Sequence, residues 1–167
     1  MDSYVYGIAA QGNCPALLPA ACYTADGKAV IAWDRSGCEP LSEAFERFHA
    51  GSARSSAASM LRLAVALFAA ADCAWDWLIP PAYLDNDPCN IWYNAERRQI
   101  QFCIKEGICG ADLITADASG LFEAAELIAA DHSPAALSCL ETIKKEAARR
   151  HLSLRQIIKQ LGTYICD

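Results

Sequence analysis

At 167 residues, 54% of them apolar and 20% charged, the chain fits one domain that can bury a core and is poorly suited to disorder. A net charge of −6 argues against nucleic acid or an anionic membrane as the main partner, because neutralising phosphate takes clustered cations. Alanine supplies 32 of the residues, which favours close-packed helices over a β-sandwich.

In chain order, Tyr4-Val5-Tyr6-Gly7-Ile8 predicts a first strand, and Leu17-Leu18-Pro19 interrupts the pattern. Ala21–Thr24 and Ala29–Trp33 flank Ala25-Asp26-Gly27-Lys28, whose Asp-Gly pair is a strong hairpin signal. Asp34–Gly37 reads as a loop. Leu41, Phe45 and Phe48 then recur at helical spacing. Gly51–Ser56 breaks the chain before its longest helix, Ser56–Trp77, which is apolar over more than half its circumference and is expected to be central and buried. Ile79-Pro80-Pro81 stops it. Ile91–Tyr93 and Gln99–Cys103, around a turn at Asn94–Arg97, predict a second hairpin. Lys105–Ser119 is loop-like, and three helices follow at about 120–131, 134–150 and 154–161. Ser133-Pro134 is a cap followed by a first-turn proline, and Ser153 with Gln156 makes a capping box. The end just after the last helix suggests a piece of something longer.

The nine cysteines (positions 14, 22, 38, 73, 89, 103, 109, 139 and 166) are odd in number and irregular in spacing, with no Cys-x-x-Cys. No secretory-type signal precedes them, so reduced thiols in the cytoplasm are expected, with a membrane tether of the full-length protein left open. No run of 18 apolar residues is free of charge, so no membrane contact by this domain is expected. Arg97-Arg98, Lys144-Lys145 and Arg149-Arg150 read as turn or helix-surface charge. Phosphate-cradling glycine loops, the nucleophile elbow and the His-Glu-x-x-His metal motif are missing. Asp131-His132-Ser133 holds the residue types of a hydrolytic triad, but adjacency in sequence is not triad geometry, and a helix cap explains it better.

One constellation stands out. Asp85-Asn86-Asp87-Pro88-Cys89-Asn90 has the spacing of the protein-kinase catalytic loop, His-Arg-Asp-x-x-x-x-Asn, with Asp85 at the catalytic Asp and Asn90 at the metal-binding Asn. A long apolar helix precedes it and a hairpin follows, as in a kinase. That hairpin should deliver the magnesium-holding Asp-Phe-Gly; here it delivers Phe102-Cys103-Ile104-Lys105, with no acid. Lys28, the only lysine in the first hundred residues, sits in a turn, and the chain before the would-be hinge is too short for a glycine-rich loop, a lysine strand and an αC-type helix. Asp85 and Asn90 are therefore vestigial candidates only.

The order and spacing of Leu17-Leu18-Pro19, Asp26-Gly27-Lys28, Ile31-Ala32-Trp33-Asp34, Pro40-Leu41-Ser42, Tyr83-Leu84, Asn90–Asn94 and Ile100–Cys103 carry a resemblance over nearly the whole chain, Tyr4 to Leu161. The chain resembles the bacterial domain at the N-terminus of proteins that carry a forkhead-associated domain further downstream. More distantly it is similar to the catalytically inert, kinase-derived domain of the membrane subunit of type VII secretion systems. The resemblance implies an α+β fold of reduced protein-kinase-like (pseudokinase) type, with small antiparallel strands at one end of a mainly helical bundle. It supplies no catalytic residues, and no forkhead-associated domain lies within the chain.

The resulting expectation is a single domain over 1–167, with rudimentary N-lobe strands in 1–35 and a helical lobe in 36–167 carrying the 91–103 hairpin. Its function is a non-catalytic signalling or scaffold module that binds a protein, needs no cofactor and no metal, and touches no nucleic acid. Trp75, Trp77, Trp92 and Tyr93 are the candidate contacts, although each is also a natural core residue. The competing readings are a divergent kinase using Asp85 as base and Asn90 for metal, and a cysteine-based redox sensor.

Overall fold

The computed structural model describes residues 3–48, 53–105 and 118–166. In chain order these form α1 (Ser3–Gln11), β1 (Ala20–Ala25), β2 (Lys28–Trp33), β3 (Cys38–Pro40), α2 (Leu41–Phe48), α3 (Ala53–Asp76), β4 (Ile91–Asn94), β5 (Gln99–Phe102), α4 (Ser119–His132), α5 (Pro134–Arg150) and α6 (Leu154–Cys166), with a 3-10 turn at Pro81–Tyr83. The class is α+β, as the sequence implied. Residues 106–117, most of the expected Lys105–Ser119 loop and Cys109 with it, lie outside the described residues, as do 49–52 of the expected break before α3.

The core is organised by α3. Met60, Leu61, Ala64, Leu67, Phe68, Ala71 and Ala74, spaced by three and four residues, are all nearly inaccessible and face α4, α5, α6 and β5. The Phe68 ring meets that of Phe122 on α4 edge-on at 4.8 Å, an arrangement that adds to the burial itself. Polar links fix the outer helices. Arg155 on α6 bonds Asp72 and Asp76 of α3 at 2.9 and 3.0 Å, and Lys144 on α5 bonds Glu126 of α4 at 2.8 Å. Ala57–Asp76 is long and apolar enough to cross a membrane by length and composition, yet it carries Arg62, Asp72 and Asp76, and α3 packs on α4, α5, α6, β5 and the 3-10 turn.

The helix caps follow the sequence. Ser133 Oγ accepts from the Ala136 amide, and Ser153 and Gln156 exchange the two bonds of a capping box. The left-handed turn that closes α3 was not foreseen. The Leu78 amide donates to Trp75 and that of Ile79 to Ala74, which closes the helix in a left-handed turn with Leu78 at φ 60°. Glycine is the residue that takes this position without strain. Leu78 is also 74% exposed, so its side chain recovers little by packing. Leu78→Gly is expected to stabilise the fold by about 1 kcal/mol, read as a rise in the urea midpoint at unchanged slope.

The first expected strand is a correction. Tyr4–Ile8 lies within α1, where Val5, Tyr6, Ile8 and Ala9 are buried and Tyr4 is not. Burial at that spacing is helical, and packing against the core has overridden the β-preference of Tyr, Val and Ile. The Asp26-Gly27 hairpin forms as expected: both turn residues take positive φ, 50° and 74°, and β1 pairs with β2 from Ala25–Lys28 to Ala20–Trp33. The second hairpin also forms, from Ile91–Phe102 to Asn94–Gln99.

Two pairings were not expected. β3 adds to β4, and Leu17 bridges Phe102 in parallel, with Leu18 donating to Phe102 and Phe102 to Ala16. Gln101 Nε2, buried, donates to the Leu17 carbonyl at 3.1 Å. The N-terminal segment is thus stitched into the sheet of the second hairpin and shares its core: Val5, Ile8 and Leu17 belong to the same cluster as Leu67 and Leu161.

Candidate functional site

Tyr83–Cys103 is assembled by backbone first. Leaving the 3-10 turn, Leu84 bridges Ile104; the Asp85 amide donates to Cys103 and the Lys105 amide to Tyr83. Asp85 therefore stands just past an isolated bridge, and residues 86–90 loop from it to β4. Asn86 packs on the first turn of α4, where a Cβ at Gly120 would collide with its carboxamide; its Oδ1 is buried without a partner among the described residues. Glycine at 120 permits this close approach.

The polar side chains of the loop serve the loop. Asp85 Oδ1 accepts from the Asp87 amide at 3.1 Å, and Oδ2 accepts from Asn90 Nδ2 at 2.9 Å. Asp87 Oδ1 in turn accepts from the Cys89 amide at 2.9 Å, and its carbonyl takes the amides of Asn90 and Ile91. This is a nested pair of Asx turns. The sequence placed Asp85 and Asn90 together at kinase spacing, and the fold does bring them together. It joins them to each other by one hydrogen bond.

Removing such a carboxylate should cost stability. Asp85→Ala is expected to lower it by about 1–2 kcal/mol, with strongly non-additive loss when combined with Asn90→Ala. Asp85→Asn, which keeps an acceptor, should cost less than about 1 kcal/mol. Urea titration of these four variants and the parent checks this; a neutral or stabilising Asp85→Ala would mark the carboxylate as held for chemistry, not for the loop.

Cys103 directly follows β5, and its carbonyl accepts the Asp85 amide. The thiol is buried beside Leu18 and Trp92, and burial pushes its pKa up to about 11; the Arg35 charge pulls it down, while Asp85 adds to the rise. Burial likewise raises the Cys14 and Cys73 thiols. Thiols held protonated in this way are weak nucleophiles. The seven described cysteines with placed side chains form no disulfide with one another. Nor do three or more His, Cys, Asp or Glu side chains gather to hold a metal ion among the described residues.

The aromatic candidates separate. Trp92 is buried under the Arg35 guanidinium, which lies 4.4 Å from its ring centre, and Tyr93 is half-buried against the main core. Trp92 is therefore not an accessible contact. Trp75 and Trp77, at 37% and 36% exposure, flank the strained turn at Leu78. Tyr4 of α1 is also exposed and joins them, its hydroxyl donating to the Trp77 carbonyl at 3.2 Å. Leu78 and Tyr4 were missed; a leucine at a helix end just before Ile79-Pro80-Pro81 was the available signal. Asp131-His132-Ser133 is a helix junction: the His132 ring packs 4.7 Å from Phe45, and Ser133 caps α5.

A cavity of about 680 Å³ opens among Phe122, Lys144, Ala147, His151, Gln156 and Ile157, and neither Asp85 nor Asn90 lines it. The carboxylate–carboxamide pair is half-buried in its own loop. Comparison of the chain with protein-family models, curated proteins and solved structures finds no match.

Proposed function

We propose that the chain is a non-catalytic protein-interaction module on a reduced kinase-like frame, the N-terminal part of a longer signalling or scaffold protein of the forkhead-associated type. The observation that carries this reading is the Asp85 carboxylate, both of whose oxygens are engaged within their own loop. Phosphoryl transfer needs a carboxylate free to take a hydroxyl proton and a second acid on magnesium. The order of long helix, loop and hairpin supports a kinase-like ancestry for Tyr83–Cys103, whereas α1 in place of a first strand departs from it. Trp75, Trp77, Leu78 and Tyr4 form the partner surface: amphipathic rings and an exposed leucine kept at a strained turn are poor for stability and good for docking.

The test is thermal melting with and without millimolar MgATP or MgADP. The midpoint is expected to stay unchanged. A rise of several degrees, lost in Asn90→Ala but present in a folded Trp77→Ala, would overturn the non-catalytic reading.

A further inference from the structure

The β1–β2 ribbon carries apolar side chains on both faces, and one of them is covered at its base. Ala20, Cys22, Ile31 and Trp33 alternate on one face, where Ala20 is buried, Ile31 and Trp33 pack on the main cluster, and Cys22 is exposed. Ala21, Tyr23, Val30 and Ala32 form the other face, where Ala21, Tyr23 and Ala32 are exposed. A two-residue turn closed by Ala25–Lys28 sets the hydrogen-bond alternation. Lys28, Val30 and Ala32 bond back to β1, as does Asp34, whose amide donates to Pro19 at 2.8 Å. The amides and carbonyls of Ala29, Ile31 and Trp33 therefore point outward from β2, and β1 is the one strand paired with it among the described residues. Natural edges are usually blunted by proline, bulges or inward charge. This one carries none of them between Lys28 and Asp34.

We propose that β2 pairs antiparallel with β2 of a second copy of this chain, about a two-fold axis through Ile31. In that register Ile31 meets Ile31, Ala29 meets Trp33, and each of these pairs exchanges two hydrogen bonds through the outward groups. Val30 meets Ala32 on the open face. Lys28 of one copy then stands opposite Asp34 of the other, and symmetry repeats the contact. The edge's cation thereby meets its anion, both exposed and on the same face. Complementarity of charge about the same centre is the argument for a second copy over an unrelated strand. A shallow hollow of about 370 Å³ at the ribbon base, lined by Ala21, Ala32, Trp33 and Asp34, lies where the methylene stem of the opposing Lys28 would rest. The product is a four-stranded sheet in the order β1-β2-β2-β1.

A seam of one strand is smaller than a standard interface, so the dimer is weak, with Kd on the order of 10 µM. Sedimentation equilibrium of the full chain across that range tests it, with near-ultraviolet circular dichroism to confirm that each variant is folded. Lys28→Glu and Asp34→Lys are each expected to raise Kd about tenfold, and the double exchange to restore it to within about threefold. Ala29→Pro, which removes an outward amide while leaving the β1 ladder intact, should abolish pairing. A chain that stays monomeric at about 1 mM overturns the proposal. So does a dimer indifferent to Lys28→Glu, or a monomer whose β2 edge instead takes up a heterologous extended peptide.

Discussion

Leu67→Asp is expected to leave the chain without a cooperative unfolding transition at 25 °C. Leu67 is 1% exposed on the inner face of α3, among Ala64, Phe68 and Ala71. A carboxylate there loses its water, and among the described side chains Arg62 on α3 and Arg155 packed against it are both exposed, away from this face. The lost leucine burial costs about 2 kcal/mol and the unpaired charge several more, against a total stability of about 5–15 kcal/mol for a domain of this size. Leu127→Asp is the control. The same chemistry at a residue 62% exposed on α4 should change stability by no more than about 0.5 kcal/mol. Far-ultraviolet circular dichroism and urea titration distinguish the two; a cooperative, near-parental melt for Leu67→Asp would mean that α3 is not the core helix.

Stability should fall on the alkaline side, through Cys103. Below the ordinary thiol value of 9.0 the folded and unfolded chains both hold this proton, and the group contributes no pH dependence. Between 9.0 and about 11 the unfolded chain releases the proton and the folded chain keeps it, because desolvation disfavours the buried thiolate. The unfolded state is therefore increasingly favoured through that window, by on the order of 2 kcal/mol at its upper end. Tyrosines and lysines titrate in the same range, so the diagnostic is the difference from Cys103→Ala. That variant should be less stable than the parent near neutral pH and lose less stability on going from pH 8 to 11. Parallel curves for the two proteins would contradict the buried thiol.

The candidate site was half legible. The closeness of Asp85 and Asn90 and the hairpin after them are local features, and both lie where the sequence put them. What those side chains bond to is not local information. Whether an Asp at a turn faces a cleft or its own loop depends on the angle at which Leu84–Asp85 leaves the bridge to Ile104 and on how closely Gly120 lets Asn86 approach α4. Trp92 shows the same division. It alternates correctly in β4, but alternation names two faces and cannot say that Leu18, Cys103 and Arg35 cover one of them.

By itself the sequence determined the elements whose cause lies within a few residues. These are the Asp-Gly turn between β1 and β2, the apolar stripe of α3, the proline stop after it, the Ser133 cap and the Ser153–Gln156 box. Each is a matter of backbone preference or of partners three or four positions away. Tertiary structure alone decided that Tyr4–Ile8 coils instead of extending, that Cys38–Pro40 becomes a strand and that Leu17 joins β5. It also decided that Leu78 is held exposed in a left-handed turn and that one apolar face of the first ribbon is left open. In the first three cases the stabilising partner is distant in the chain, and the burial and hydrogen bonds it supplies outweigh a local preference of at most about 1 kcal/mol per residue.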